Sequence, residues 1–163
     1  MSDGIGFLGQ DELQRFDELL EGYLRQTRIR CALLVDRAGR LITAVGERGG
    51  LDDIAVASLA AADFAASDQL AVLLGEREFS SLYHHGDPRS MYLADVHGRA
   101  ILASLFDHRT TLGMVRITTK TIVPELGTIL DEIARRSPGS EAIHMDAAWV
   151  EEVEDEIDRL FSE

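Results

Sequence analysis

Cysteine occurs once in the 163 residues, tryptophan once and proline three times. The single thiol, Cys31, lies in an apolar run, so no internal disulfide can staple the fold and a reducing compartment suits the chain. No uninterrupted apolar run nears the roughly 18 residues of a membrane-crossing helix. The opening Met1-Ser2-Asp3-Gly4 lacks the basic stretch leading into an apolar one that marks a signal peptide. We therefore expect no membrane span and a cytoplasmic location. Positive charge is also scarce: 16 Lys and Arg stand against 29 Asp and Glu, a net charge of −13. That balance argues against a phosphate-binding surface and against nucleic acid as a partner. A Gly-rich phosphate loop, a nucleophile elbow and a Cys–His signature are missing, so no residue is assigned a catalytic role. His84-His85, with His97, His108 and His144, invites a metal reading. Adjacent histidines on a strand point to opposite faces, however, and we expect no metal site.

What is present is the composition of a globular domain, 45% apolar and 28% charged. The charge is uneven, because residues 141–163 hold nine acids and one base, −8 of the total −13. Ser137-Pro138-Gly139-Ser140 carries the breaker chemistry of a linker. The expected layout is a body over 1–136, a linker over 137–140 and an acidic amphipathic tail over 141–163.

Within the body, Leu13, Phe16, Leu20, Tyr23 and Leu24 mark one face of a helix over 11–27. Cys31–Val35 and Leu41–Val45 flank a Gly39-containing turn and read as a β-hairpin. The first of these strands lacks alternation, as expected of one covered on both faces. A long helix over 51–74 follows, with Asp52 and Asp53 in its first turn and Gly75 as the residue that ends it. Three further strands are expected at Glu78–Tyr83, Ser90–Asp95 and Ala100–Phe106, joined by connections too short for parallel crossovers. Val115, Thr119, Ile122, Leu126, Ile129 and Ile133 then form a helical stripe over 111–136. Pro124 predicts a kink there, and the β-branched residues of 114–121 leave a short strand as the alternative. The predicted fold is α/β, in the order α-β-β-α-β-β-β-α plus tail: an α/β/α sandwich whose five-stranded antiparallel sheet carries helices on both faces.

Helix 51–74 has no Lys or Arg and is apolar nearly all round, as a helix buried on both sides would be. Projected at 100° per residue, Val56, Leu59, Ala66, Leu70, Leu73 and Leu74 form the expected core stripe, with Asp63 oddly among them. The opposite side, with Ile54, Ala57, Ser58, Ala61, Phe64, Ala65, Asp68 and Val72, is the candidate protein–protein face. The bland alternative is an exposed helix rich in alanine for its propensity. In the tail, Val150, Val153, Ile157, Leu160 and Phe161 form a narrow apolar stripe with Trp149 beside it. A helix so short is marginal alone, so we expect it to fold only on a groove flanked by basic residues. The alternative is a tail that merely aids solubility.

Several pieces, in order along most of the chain, resemble the Roadblock / dynein light chain family and its bacterial Mgl-type polarity branch. They are Leu34-Val35-Asp36-Arg37-Ala38-Gly39, Ser58-Leu59 to Ala65-Ala66, Leu74-Gly75-Glu76 with Phe79, His84 and Gly86. The run from Phe106-Asp107-His108-Arg109-Thr110-Thr111-Leu112-Gly113 to Arg116 and the ending Asp155-Glu156-Ile157-Asp158-Arg159-Leu160-Phe161 complete the set. The resemblance implies a Roadblock homodimer with sheets joined edge to edge and long helices side by side. A small Ras-like GTPase of the MglA type would sit across the two helices in a 2:1 complex, serving cell polarity or motility from a cell pole. Such proteins accelerate GTP hydrolysis by remodelling the GTPase's switch loops without an arginine finger. GTP and Mg²⁺ then belong to the partner, and this chain needs no cofactor. The family's contacts carry over most directly to Ala61, Ala65 and Gln69, while Asp63, Phe64, Asp68 and Gln69 itself stand where small residues and Asn are usual. The tail would bind the GTPase away from its nucleotide. Alternatives are a scaffold that docks a GTPase or adaptor without changing turnover, and a small-molecule sensor. Arg109 is the one residue that tempts as an arginine finger.

Overall fold

Apolar residues alternate with helical and strand periods in the order expected, and the chain folds accordingly in a computed structural model that describes residues 8–136. The linker over 137–140 and the tail over 141–163, with the five stripe residues from Val150 to Phe161, lie outside the described residues. The elements are α1 (Gln10–Thr27), β1 (Cys31–Asp36), β2 (Leu41–Gly46), α2 (Asp53–Leu73), β3 (Ser81–His84), β4 (Ser90–Val96), β5 (Ala100–Phe106) and α3 (Leu112–Arg136). One sheet runs β2-β1-β5-β4-β3, with every neighbour antiparallel. The first and last body strands therefore meet at its centre. Both are covered on two faces, which is why β1 is buried at every position and shows no alternation.

α1 and α3 pack against each other and on one face, α1 over β2 and β1, α3 over β4. Phe16, Leu20 and Tyr23 of α1 and all the apolar residues of the expected α3 stripe are buried there. Tyr23 brings its hydroxyl in with it, 2.9 Å from Ser104 Oγ and 2.8 Å from Thr119 Oγ1, so the buried polar atom is satisfied. α3 is a single helix through Pro124 from Leu112, and the strand alternative for 114–121 is not realised. β3 starts three residues later than predicted, because its pairing with β4 begins at Ser81 opposite Ala94.

α2 lies alone on the other face, over β1, β2 and β5. Its ends follow the sequence closely. The Asp52 side chain accepts the Ala55 N–H at 3.0 Å, an N-cap that satisfies one orphan donor. Gly75, at φ +78°, lets Glu76 N–H reach the Ala71 carbonyl at 2.8 Å and closes the helix with a Schellman turn.

Which side of α2 faces the sheet is the reverse of the expectation. Ala57, Ala60, Ala61, Phe64, Ser67 and Ala71 are the buried residues. Leu59 is 70% exposed and Leu73 81% exposed, while Phe64 is completely buried. The assumed core stripe of leucines is therefore the outer side, with only Val56 half-buried. The physical reason is distance: small side chains let the helix backbone approach the sheet, where one large ring fills what remains. A helix apolar on all sides has no periodicity from which to choose between the two.

Candidate functional site

The outer surface of α2 is where this chain departs from an ordinary soluble domain. Its exposed residues are Ile54, Ala55, Ser58, Leu59, Ala62, Ala65, Ala66, Gln69, Leu70, Val72 and Leu73, and none carries a charge. Solvated helix faces are normally polar, and contiguous exposed apolar surface marks an interaction site. By length and composition α2 is even long and apolar enough to cross a membrane, which uninterrupted runs alone did not suggest; one side of it is packed on the sheet instead.

The residues proposed for contact from sequence divide. Ser58, Ala65, Gln69 and Val72 lie on the exposed surface. Ala61 and Phe64 do not: both are buried against the chain's own sheet, Phe64 completely, so they act as core. Asp68 is half-buried and held by Arg37 at 3.3 Å. Leu59, Leu70 and Leu73, assigned to the core from sequence, join the exposed surface instead.

Polar groups mark the edges of the buried side. Arg37, from the turn after β1, pairs with Asp68 of α2 and Asp95 of β4 and lies 5.1 Å from the Phe64 ring centroid. It therefore ties the middle of α2 to both the hairpin and the far half of the sheet. Asp63, on the other edge of the buried side, pairs with His84 of β3. The two aspartates bracket the buried arc and the exposed arc has none, a cue that was present in the sequence and outweighed by the leucines. Gly39, at φ +88°, lets the β1–β2 turn run beneath α2, since a Cβ there would stand 3.2 Å from Ser58 Cα.

β3 is an edge strand of four residues, and among the described residues its outer backbone groups have no strand beside them, a template for pairing with another chain. Tyr83 on this strand is 40% exposed and stacks on Phe106 at 6.2 Å. The Asp63–His84 pair thus ties this edge strand to α2, whose outer face is apolar.

His85 meets the Tyr83 hydroxyl at 2.9 Å and His97 meets Asp131 at 3.0 Å; among the described residues no group of three or more potential metal ligands is gathered. Arg109 Nε bonds Asp107 at 3.2 Å and its guanidinium faces Glu47 at 3.6 Å, so it is committed to ion pairs at the start of α3. Asp107 is buried. The Arg109 backbone N–H at 3.0 Å, with the Arg30 and Arg109 guanidiniums, holds its carboxyl well below the usual carboxylate range. Burial pushes the Cys31 thiol up to about 11, so it is protonated and poorly nucleophilic at neutral pH. Cys31 borders a cavity of about 120 Å³ between the β2–α2 connection and the ends of β1 and β5.

None of the curated proteins matches the sequence. Among solved structures, the chain is similar to MglB of Myxococcus xanthus, with 32% identity and a TM-score of 0.73 over 78% of this chain and 96% of that one. It is similar to the gliding protein MglB of Thermus thermophilus, with 30% identity and a TM-score of 0.74 over 80% of this chain and 99% of the other. An MglB in a tetrameric arrangement matches at 31% identity and a TM-score of 0.72, over 78% and 95% of the two chains. With these likenesses, and with residues 15–106 matching the model of the Roadblock/LC7 domain, the chain belongs to the Roadblock/LC7 family and has an MglB-like fold.

Proposed function

We propose that this protein is a regulator of a small Ras-like GTPase of the MglA type, with no catalytic centre of its own. The observation that carries the proposal is the uncharged, apolar outer face of α2 in a chain 30–32% identical to MglB proteins over most of its length. Two copies pair through the β3 edge and through α2, which covers Leu59, Leu70 and Leu73. The tetrameric arrangement of one MglB supports self-association as a property of this fold. One GTPase lies across the paired helices, against Ser58, Ala65, Gln69 and Val72, in a 2:1 complex. The partner supplies GTP, Mg²⁺ and the reacting groups. The setting is the cytoplasm, at a cell pole, in polarity or motility.

A protein without a finger residue accelerates hydrolysis only by shifting the partner's switch loops toward their competent arrangement. Such a shift is limited to the difference in its affinity for the two arrangements. Binding should therefore favour the GTP-loaded form. Steady-state GTP turnover by an MglA-type GTPase should rise on adding this protein. Ala65→Arg should abolish the rise by placing charge and bulk on the contact face, leaving the dimer intact. Turnover unchanged at saturation rejects activation and leaves a scaffold; stimulation undiminished by Ala65→Arg rejects the helix face. The same assay without residues 141–163 reads the tail's contribution.

A further inference from the structure

The cavity beside Cys31 has an unusual lining for so acidic a protein. Its apolar walls are Cys31, Leu51, Leu105 and Phe106, and three arginines, Arg30, Arg48 and Arg89, border it together with Glu47. Arg30 is engaged by Asp107 and Glu47, and Arg48 by Asp53 at 3.1 Å. Arg89, exposed at the start of β4, has no ion pair among the described residues. The volume, about 120 Å³, approaches that of a protein cavity that takes up one benzene-sized group. Such a site suits one apolar side chain with carboxylates next to it. The sequence holds that pattern at Asp158-Arg159-Leu160-Phe161-Ser162-Glu163, at the end of the segment that concentrates nine acids and one base.

We propose that the Leu160-Phe161 end of this chain's own acidic segment docks in the arginine-bordered cavity, with its flanking carboxylates on Arg89 and Arg48. Reach is no obstacle. The 24 residues from Arg136 to Leu160 span up to about 80 Å when extended, several times the ~14 Å radius of gyration expected of a body this size. Tethering also raises the local concentration of the segment to the order of millimolar, so a weak contact is well populated. The basic-flanked groove expected for the tail is then on the chain itself, and a partner that takes the tail must first compete it away. This inference rests on the cavity and the sequence, and stands apart from the GTPase reading.

The test uses the full chain without any GTPase. Hydrogen–deuterium exchange across 157–161 should be slowed in the wild type, independently of protein concentration. It should quicken in Arg89→Glu and in Phe161→Ala, and at high salt, where charge pairs are screened over a few ångströms. Alkylation of Cys31, the single thiol, should speed up several-fold in both variants as the cavity opens. Unchanged exchange across β1 and β5 certifies the fold. If Arg89→Glu fails to fold, Phe161→Ala, outside the described core, still decides. Exchange across 157–161 as fast as in a free peptide overturns the proposal. So does protection that grows with concentration, which would make a second copy the occupant, and so does protection indifferent to Phe161→Ala.

Discussion

Asp107 and Arg30 show how single residues hold the end of the sheet. Asp107 follows β5 directly, and its carboxylate takes the Arg109 N–H and two guanidiniums while buried. Ionisation is favoured in the folded state, so the folded value lies below the unfolded one. Its contribution is complete above the unfolded carboxylate value of about 3.9 and drains away as pH falls through the folded value. Asp107→Asn should therefore lower the melting temperature at neutral pH. The gap to wild type should narrow steadily as pH falls below about 4, as thermal melts at a series of pH values will read. A gap that stays constant with pH would assign the effect to geometry instead of charge. Glycine at position 46 is a different kind of residue constraint. It sits at φ +96°, where a Cβ would stand 2.4 Å from the Arg30 carbonyl and 2.9 Å from Cys31 Cα, so the end of β2 can close on β1 only without a side chain.

At the scale of elements, α2 carries two opposed faces of nearly equal apolarity. The alanine face accepts the sheet because close approach removes water from both backbones. The leucine face is left outside because only one side of a helix can touch one sheet. Phe64 is the one large side chain on the buried face, so Phe64→Ala leaves a cavity that small neighbours cannot fill. It should cost about 3–5 kcal/mol, measured by chemical denaturation and independent of protein concentration. A cost below about 1 kcal/mol would mean that the ring belongs to an adaptable surface rather than to the core. Arg37 secures the same face from the side through Asp68, Asp95 and the Phe64 ring.

For the whole molecule, an uncharged apolar helix face and a short edge strand predict a dimer. Leu70→Glu with Leu73→Glu should halve the mass seen by sedimentation while circular dichroism keeps its folded shape. Both side chains already face water in the single chain, so the substitutions charge the interface without entering the core. A wild-type protein that sediments as a monomer, or a double variant that keeps its dimer mass, would remove α2 from the interface.

Element order, the hairpin, the glycine that ends α2 and the antiparallel sheet were legible in the residues, because they depend on local chemistry: Gly75 reversing the chain, short turns forbidding crossovers. The family was legible too, in motifs such as Asp36-Arg37-Ala38-Gly39 and the run from Phe106 to Arg116. The orientation of α2 was not, and with it the standing of Ala61, Phe64 and the leucine stripe. That choice depends on how near the helix can come to β1 and β5, a distance set by side chains far apart in sequence. Tertiary packing alone decided which apolar face became the core and which was left open to a partner.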